Sequence, residues 1–344
     1  MATYHSTRSR TSELSSKQAI RRGIAPDGGL YVSDALGEAT INLASLASKD
    51  YFELAREVLG ALLPDYSADE IAACVCEAYE GTFASDEVTP VVPLAQAPNA
   101  DGVPSYVLEL WHGPTSAFKD VALQMLPRLM ARTADSAAED APAKIQIVTA
   151  TSGDTGKAAL AGFADAPGVG ITVFYPEGKV SRVQELQMST QEGGNVTVCG
   201  VRGNFDDAQS AVKRIFGDTE LAERLAEQGV MLSSANSINV GRLVPQVVYY
   251  FAAYAQLLRA GAIEPGDWSS SACPPATSAT SSPATTPSAW VCPWPSSSWQ
   301  AIRTTCSTIS SPPVPTTVSA PSTPRRRRAW ISSSRPTSSA CSTT

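Results

Sequence analysis

The sequence changes character after Asp267, and that change limits how much of the chain can build a core. From Trp268 to Thr344 there is no Asp, Glu, Lys, Gly, Leu, Asn, Tyr or Phe. Ser, Thr, Pro and Ala dominate there, and the charges are all arginine: Arg303, Arg325 to Arg328 and Arg335. Such a stretch cannot bury enough apolar area to offset the entropy of ordering it, so as written it is expected to be disordered. Every acidic residue lies before the break. With 344 residues the chain is long enough for two domains and a sizeable core.

The ordinary part of the sequence excludes several classes of function. A net charge of -7 argues against a nucleic-acid partner. No apolar run reaches membrane-spanning length, and the start M-A-T-Y-H-S-T-R-S-R lacks the apolar centre of a signal peptide. Both point to a cytoplasmic chain with no membrane contact. The cysteines (Cys74, Cys76, Cys199, Cys273, Cys292, Cys306, Cys341) are scattered, and Cys74-Val-Cys76 is too tight for a redox or zinc pattern. No metal is expected.

Along the chain, Gly23 to Val32 reads as a Pro/Gly turn into a short strand, and Tyr51 to Leu63 and Ala68 to Tyr79 as helices. A strand at Tyr106 to Leu110 precedes a helix from about Ala117 to Arg132, which Pro127 should bend or end early. Asp135 to Ala143 reads as a polar surface loop. Strands are then predicted at Ile145–Thr151, 170–176, 195–201 and Val230–Ser234, with helices at Lys157–Phe163, 183–190, Phe205–Phe216 and Val244–Leu258. Strands separated by helices of this length argue for parallel βαβ units with helices on both faces.

Three stretches carry chemistry. Leu110 to Gln124 reads L-W-H-G-P-T-S-A-F-K-D-V-A-L-Q, with Lys119 between Phe118 and Asp120, and His112, Thr115 and Ser116 upstream. A desolvated lysine loses its proton readily and can attack a carbonyl to form a Schiff base. A surface lysine at the head of an amphipathic helix fits the same spacing. Ser152-Gly153-Asp154-Thr155-Gly156 lies where a strand gives way to a helix, a place whose free N–H groups favour an anion, although a plain turn also fits. Gly156-Lys157 is not a nucleotide-binding P-loop, because Ala158 follows and the first glycine is misplaced. Ser234 to Arg242, S-A-N-S-I-N-V-G-R, packs two amides, two hydroxyls and an arginine between a strand and a helix, as a capping network or a polar pocket. Arginine suits phosphate through its planar fork of donors.

Taken together, H-G-P-T-x-A-F-K-D, S-G-D-T-G and S-A-N-S-I-N-x-x-R-L-x-P-Q occur in the order of, and resemble, the threonine synthase family. A-P-D-G-G-L-Y-V resembles that family's small N-terminal domain, and the resemblance covers most of Met1 to about Gly266. It implies an α/β, doubly wound parallel-sheet pyridoxal-phosphate fold of the fold-type-II kind, here C-terminally incomplete. The domains would be 1–85 (small N-terminal), 86–266 (cofactor-binding core) and 267–344 (tail). It implies pyridoxal 5'-phosphate on the catalytic Lys119, with Phe118 and Asn239 at the cofactor. Ser152, Thr155, Asn236, Ser237 and Arg242 would bind the substrate, O-phosphohomoserine, which is converted with water to threonine and phosphate. Lys179-Val180-Ser181 is family-like too but reads as a solvated loop. Related dehydratases carry a shorter S-x-x-x-K-x-R lysine motif, absent here. Another pyridoxal-phosphate lyase and an inactive truncated fragment remain alternatives.

The resemblance stops where the family's glycine-rich loop for the cofactor phosphate should come. Ala, Ser, Thr and Pro share C as middle base, and a GC-rich gene read one base out of register yields that composition. Shifting the frame lets the stretch from Cys273 read V-P-T-G-N-F-G-D-I-L-A-G-Y-Y-A. From Trp290 it permits M-G-L-P-V-A-K-L-x-V-A-S-N-x-N-x-V-L, and from Trp330 M-D-I-L-x-S-S-N-L-E-R-L-L-Y. All three look like threonine synthase, so a single frameshift close to Asp267–Ser271 is expected. A disordered linker, or a basic patch at Arg325 to Arg328, is the alternative for the tail.

Overall fold

The computed structural model describes residues 3–9, 13–33, 41–94, 104–133, 144–265, 267, 269–272, 290–292 and 329–332. The loop expected over Asp135–Ala143 lies outside them, as does most of 268–344, Arg325 to Arg328 included. Strand β1 (Tyr4–Ser6) is followed by helix α1 (Ser16–Arg22) and by β2 (Tyr31–Ser33), which pairs antiparallel with β1. The sequence reading has neither β1 nor α1, both too short for periodicity to register. A capping box nonetheless marks α1: Ser15 accepts the Gln18 N–H and Gln18 accepts the Ser15 N–H. After a 3-10 turn (Leu43–Ser48) come α2 (Tyr51–Leu62) and α3 (Ala68–Tyr79), each where its apolar spacing predicts and each opened by a capping box, on Asp50 and Ser67.

Strands β3 (Val91–Pro93) and β4 (Ser105–Leu108) pair antiparallel and lead to α4 (Asp120–Ala131). The regular alternation then begins: β5 (Lys144–Ala150), α5 (Asp154–Phe163), β6 (Val169–Pro176), α6 (Arg182–Ser189), β7 (Val196–Val201), α7 (Phe205–Gly217), α8 (Thr219–Glu227), β8 (Val230–Ser233) and α9 (Val240–Arg259). These four strands form one parallel sheet in the order β7-β6-β5-β8. The two-residue period of its strands sorts the side chains. Ile145, Ile147, Ile171 and Val173 enter the main core with α4, α5 and α9, while Val148, Ala150, Phe174 and Leu232 meet Ala208 and Val212 of α7. The sheet is thus covered on both faces, as a doubly wound fold requires. The main core is continuous from Tyr4 through Val58 and Leu123 to Ile263, so the early helices pack on the same interior as the sheet. Helix α8 is absent from the sequence reading; none of its residues is fully buried.

Three further short strands lie after the compositional break: β9 (Ser269–Ala272), β10 (Trp290–Cys292) and β11 (Ala329–Ser332). They join β4 and β3 in a second sheet ordered β10-β9-β11-β4-β3, with β11 parallel to both β4 and β9. Composition predicts no strands here; backbone pairing with β4 needs only N–H and C=O groups, which every residue but proline supplies.

Pro127 neither ends nor shortens α4, which runs on to Ala131. A proline at this position leaves the Leu123 carbonyl without its helical donor. Gly162 of α5 comes up against that carbonyl, so closely that a Cβ on Gly162 would lie 2.0 Å from the Leu123 oxygen. Beside it, Arg128 donates to the carbonyls of both Gln124 and Gly162 at 2.9 Å. The contact that proline opens is the one that docks α5 on α4. Gly162→Ala should therefore lower stability by about 1–3 kcal/mol through overpacking. Gly60→Ala, on the exposed side of α2 with nothing within 4 Å of the added carbon, should raise it by about 0.5–1 kcal/mol. Denaturant midpoints of the two variants check this; equal shifts would refute the close α4–α5 contact.

Candidate active site

The order in which strands are added reverses between β5 and β8. From β5 the chain steps outward to β6 and β7, then returns to β8 on the other side. Ligands in open α/β sheets bind at the carboxyl ends of the strands beside such a switch point. Here those ends carry Thr149 to Gly153 after β5 and Ser234 to Asn236 after β8. The two are tied directly, Thr149 Oγ1 donating to Asn236 Oδ1 at 2.6 Å.

The lysine motif is folded into a turn around Asp120. The Asp120 carboxylate is fully buried and accepts the Thr115 N–H at 2.9 Å, the Thr115 hydroxyl at 2.6 Å and the Ala117 N–H at 3.3 Å. Burial pushes the Asp120 carboxyl above its ordinary range, opposed by these hydrogen bonds and by the charge of Lys157. Inside the turn Ser116 takes a left-handed backbone (φ 54°), unusual for a residue with a side chain. Lys119 then occupies the N-cap position of α4, half-buried, its Nζ 5.5 Å from the centre of the Phe118 ring. The ring supplies an apolar, weakly cation-attracting wall. His112 is turned to another partner, its Nε2 lying 2.8 Å from Glu109 with Trp111 stacked on the ring.

At the head of α5, the buried Thr151 hydroxyl accepts the N–H groups of Gly153 and Gly156 at 3.0 and 2.8 Å. This is why α5 begins at Asp154, three residues before the sequence reading has it. Gly153 has φ 133°, and a side chain there would strike Gln184, which bridges back to Asp154 at 2.6 Å. Ser152 is exposed and Thr155 half-buried at this helix start. Across the switch point Asn236 is half-buried and Ser237 exposed. Asn239 caps α9: its Oδ1 accepts the Gly241 N–H, and its amide donates to the carbonyls of Ile20 and Ser234, both at 3.0 Å. Both amide donors are spent on protein groups, so Asn239 locks α1, β8 and α9 together. That cap starts α9 at Val240 rather than Val244.

Arg242, in the first turn of α9, is 3 % exposed and its Nε has no hydrogen-bond partner. Burial pulls its guanidinium down to about 10, with Tyr249 and Asp120 opposing the shift. A buried cation with an unused donor, electrostatically coupled to the aspartate that holds the Lys119 turn, is a place prepared for an anion. Among the described residues no group of His, Cys, Asp and Glu could hold a metal, and no helix is long and apolar enough to cross a membrane. Cys74, Cys76 and Cys199 are free thiols, and burial pushes the Cys74 thiol up to about 12.

The family model described as "Threonine synthase N terminus" matches residues 3–79, and that described as "Pyridoxal-phosphate dependent enzyme" matches residues 84–257. Threonine synthase of Schizosaccharomyces pombe is 37 % identical over 265 residues, 75 % of this chain and 49 % of the relative. That of Pseudomonas aeruginosa is 39 % identical over 255 residues, 74 % of this chain and 51 % of the relative. The chain belongs to the threonine synthase family of pyridoxal-phosphate-dependent enzymes. Among solved structures, the pyridoxal-phosphate-bound threonine synthase of Brucella melitensis superposes with a TM-score of 0.66 at 37 % identity, covering 79 % of this chain and 55 % of that one. The yeast threonine synthase gives 0.66 at 33 % identity, covering 79 % and 52 %. This threonine synthase homologue therefore spans about half the length of the curated relatives it matches.

Sequence reasoning singles out Lys119, the helix start at Ser152–Thr155 and Arg242, and the structure gathers them at one end of the sheet. It misses Thr149, Thr151, Lys157 and the structural use of Asn239. The Thr115–Asp120 pair was visible only as a polar residue five positions before an aspartate.

Asp120→Ala should destabilise this homologue by about 2–4 kcal/mol, because the buried N–H groups of Thr115 and Ala117 are left without an acceptor. Asp120→Asn should cost about 1 kcal/mol or less, since its oxygen can accept both N–H groups while the Thr115 hydroxyl reverses to accept from its amide. The raised folded-state carboxyl binds its proton more tightly than the unfolded one. Stability from Asp120 is therefore full below the ordinary carboxylate range and declines as pH rises toward the folded-state value. Urea titrations from pH 4 to pH 7 should show a shallower decline for Asp120→Asn than for the parent.

Proposed function

We propose that the protein in its complete form converts O-phospho-L-homoserine and water to L-threonine and phosphate, with pyridoxal 5'-phosphate carried on Lys119. The observation that supports it most is the buried Arg242, whose Nε has no hydrogen-bond partner, beside the Asp120-held turn. The donor set fits the cofactor and its substrate: a half-buried amine against the Phe118 ring, a helix start with N–H groups toward the switch point, and a cation seeking a phosphate. Pyridoxal phosphate, when bound, supplies a ring that takes up electron density from the substrate's carbon atoms. Lys119 holds the cofactor and moves protons at the substrate's Cα and Cβ. Ser152 and Thr155, with the N–H groups of Asp154 and Thr155 at the start of α5, receive the substrate carboxylate. Asn236, Ser237 and Arg242 bind the substrate on the β8 side, and Arg242 takes the phosphate. Asn239 serves the cofactor from a distance by fixing the loop that carries these groups.

A second reading concerns the chain as it stands: an inactive half of the same enzyme. It is favoured by the absence of any glycine from the sequence after Gly266, where the family resemblance puts the loop for the cofactor phosphate. The composition after Asp267, dominated by Ser, Thr, Pro and Ala with no glycine, favours a shifted frame as the cause.

Two measurements decide between these readings. Resequencing the coding DNA across Pro265 to Pro275 should reveal one extra or missing base; an unaltered sequence would sink the frameshift. With the frame restored, the enzyme should release phosphate from O-phosphohomoserine, and Lys119→Ala should abolish both turnover and the cofactor's absorbance band. Absorbance without phosphate release would indicate another pyridoxal-phosphate lyase. Arg242→Met should remove turnover while raising the ligand-free stability by about 1 kcal/mol or more, because an unpaired buried charge is replaced by a packed apolar chain. A loss of stability instead would mean that Arg242 is already satisfied by the protein.

A further inference from the structure

Lys157 is the lysine that the failed P-loop comparison left without a role. It stands in the first turn of α5, where a cation is opposed by the helix dipole, and it is 8 % exposed, where a cation is costly again. Two penalties at one position need an offset. Its Nζ donates to the Thr115 carbonyl oxygen at 2.9 Å and lies 4.0 Å from Asp154 Oδ1. Thr115 is thereby held from three directions: its N–H and hydroxyl go to Asp120, and its carbonyl receives Lys157. The bond crosses from the helix after β5 to the turn that ends in Lys119. It joins two of the three chemistry-bearing stretches.

We infer that Lys157 is a positioning residue for Lys119. It pins the Thr115 carbonyl, and with it the Gly113–Lys119 turn, so that the Lys119 amine faces the switch point rather than solvent. The functional part rests on the reading of Lys119 as the cofactor lysine. Methionine fills much of the same space without a donor. Arginine restores a buried cationic donor that can reach the carbonyl.

The test uses the full chain. Wild type, Lys157→Met, Lys157→Gln, Lys157→Arg and Lys119→Ala are incubated with pyridoxal phosphate, reduced with borohydride, and the labelled peptides quantified at several pH values. Wild type should be labelled first at Lys119. Lys157→Met and Lys157→Gln should label Lys119 about tenfold more slowly or worse, the loss expected for one charge-assisted hydrogen bond. Lys157→Arg should recover most of the rate. In parallel, hydrogen exchange of the 115–119 amides should quicken by about tenfold in Lys157→Met and not in Lys157→Arg. Unchanged exchange in Lys157→Met overturns the pin itself. Faster exchange with wild-type labelling overturns the positioning role and leaves only a structural one. Failure of wild type to label Lys119 overturns the positioning role in this chain, and the pin then stands or falls on exchange alone.

Discussion

The Asp120 carboxylate is the group on which the reactive end of the molecule turns. It is taken out of water and satisfied by two backbone N–H groups and a hydroxyl, rather than by a cation. A carboxylate bonded this way fixes a loop more sharply than an ion pair would, because each donor has its own direction. The cost appears as an upward push on its carboxyl. Two cations are nevertheless coupled to it, Lys157 and Arg242. One is used up on the Thr115 carbonyl and the other has a donor to spare. With Asp154 beside Lys157 the two cations face two carboxylates, and the unused Nε donor of Arg242 is what the site keeps for an anion.

The parallel sheet sets where this charge is. Its order β7-β6-β5-β8 places the ends of β5 and β8 side by side, and the chain leaves both toward helices whose first turns carry Thr155 and Arg242. The short bond from Thr149 to Asn236 closes the two loops on one another. Proline and glycine do the corresponding work on the far side of α4, where Pro127 frees a carbonyl and Gly162 fills the space above it. Helix α5 therefore has one end in the core contact and the other in the site, and Lys157 sits in the turn nearest the site.

Much of this was legible in the residues. The alternation of strands and helices after Lys144 is a strong periodic signal, and the three motifs in family order point to Lys119, which the structure sets at the N-cap of α4. The misses have common physical causes. Elements such as β1, α1 and α8 are too short or too exposed for a hydrophobic period to register, and helix starts shifted wherever a side chain supplied an unforeseen cap, as Thr151 and Asn239 do. The role of Asn239 shows the limit of motif transfer, because a conspicuous amide in a polar motif is here spent on backbone groups. Lys157 could not have been found by spacing, since its partner is 42 residues earlier and is a carbonyl oxygen common to every residue.

A site built around a buried arginine carries a particular thermodynamic burden. The buried Arg242, with its Nε donor unused, lowers the stability of the folded state unless an anion takes that donor. A bound anion's free energy offsets that cost, so a buried arginine of this kind is tolerable where a ligand is to be held. Without the anion the cost remains. The continuous core from Tyr4 to Ile263 must then hold the fold by itself. The group best suited to an anion is thus also the one that leaves the ligand-free fold less stable than its packing would allow.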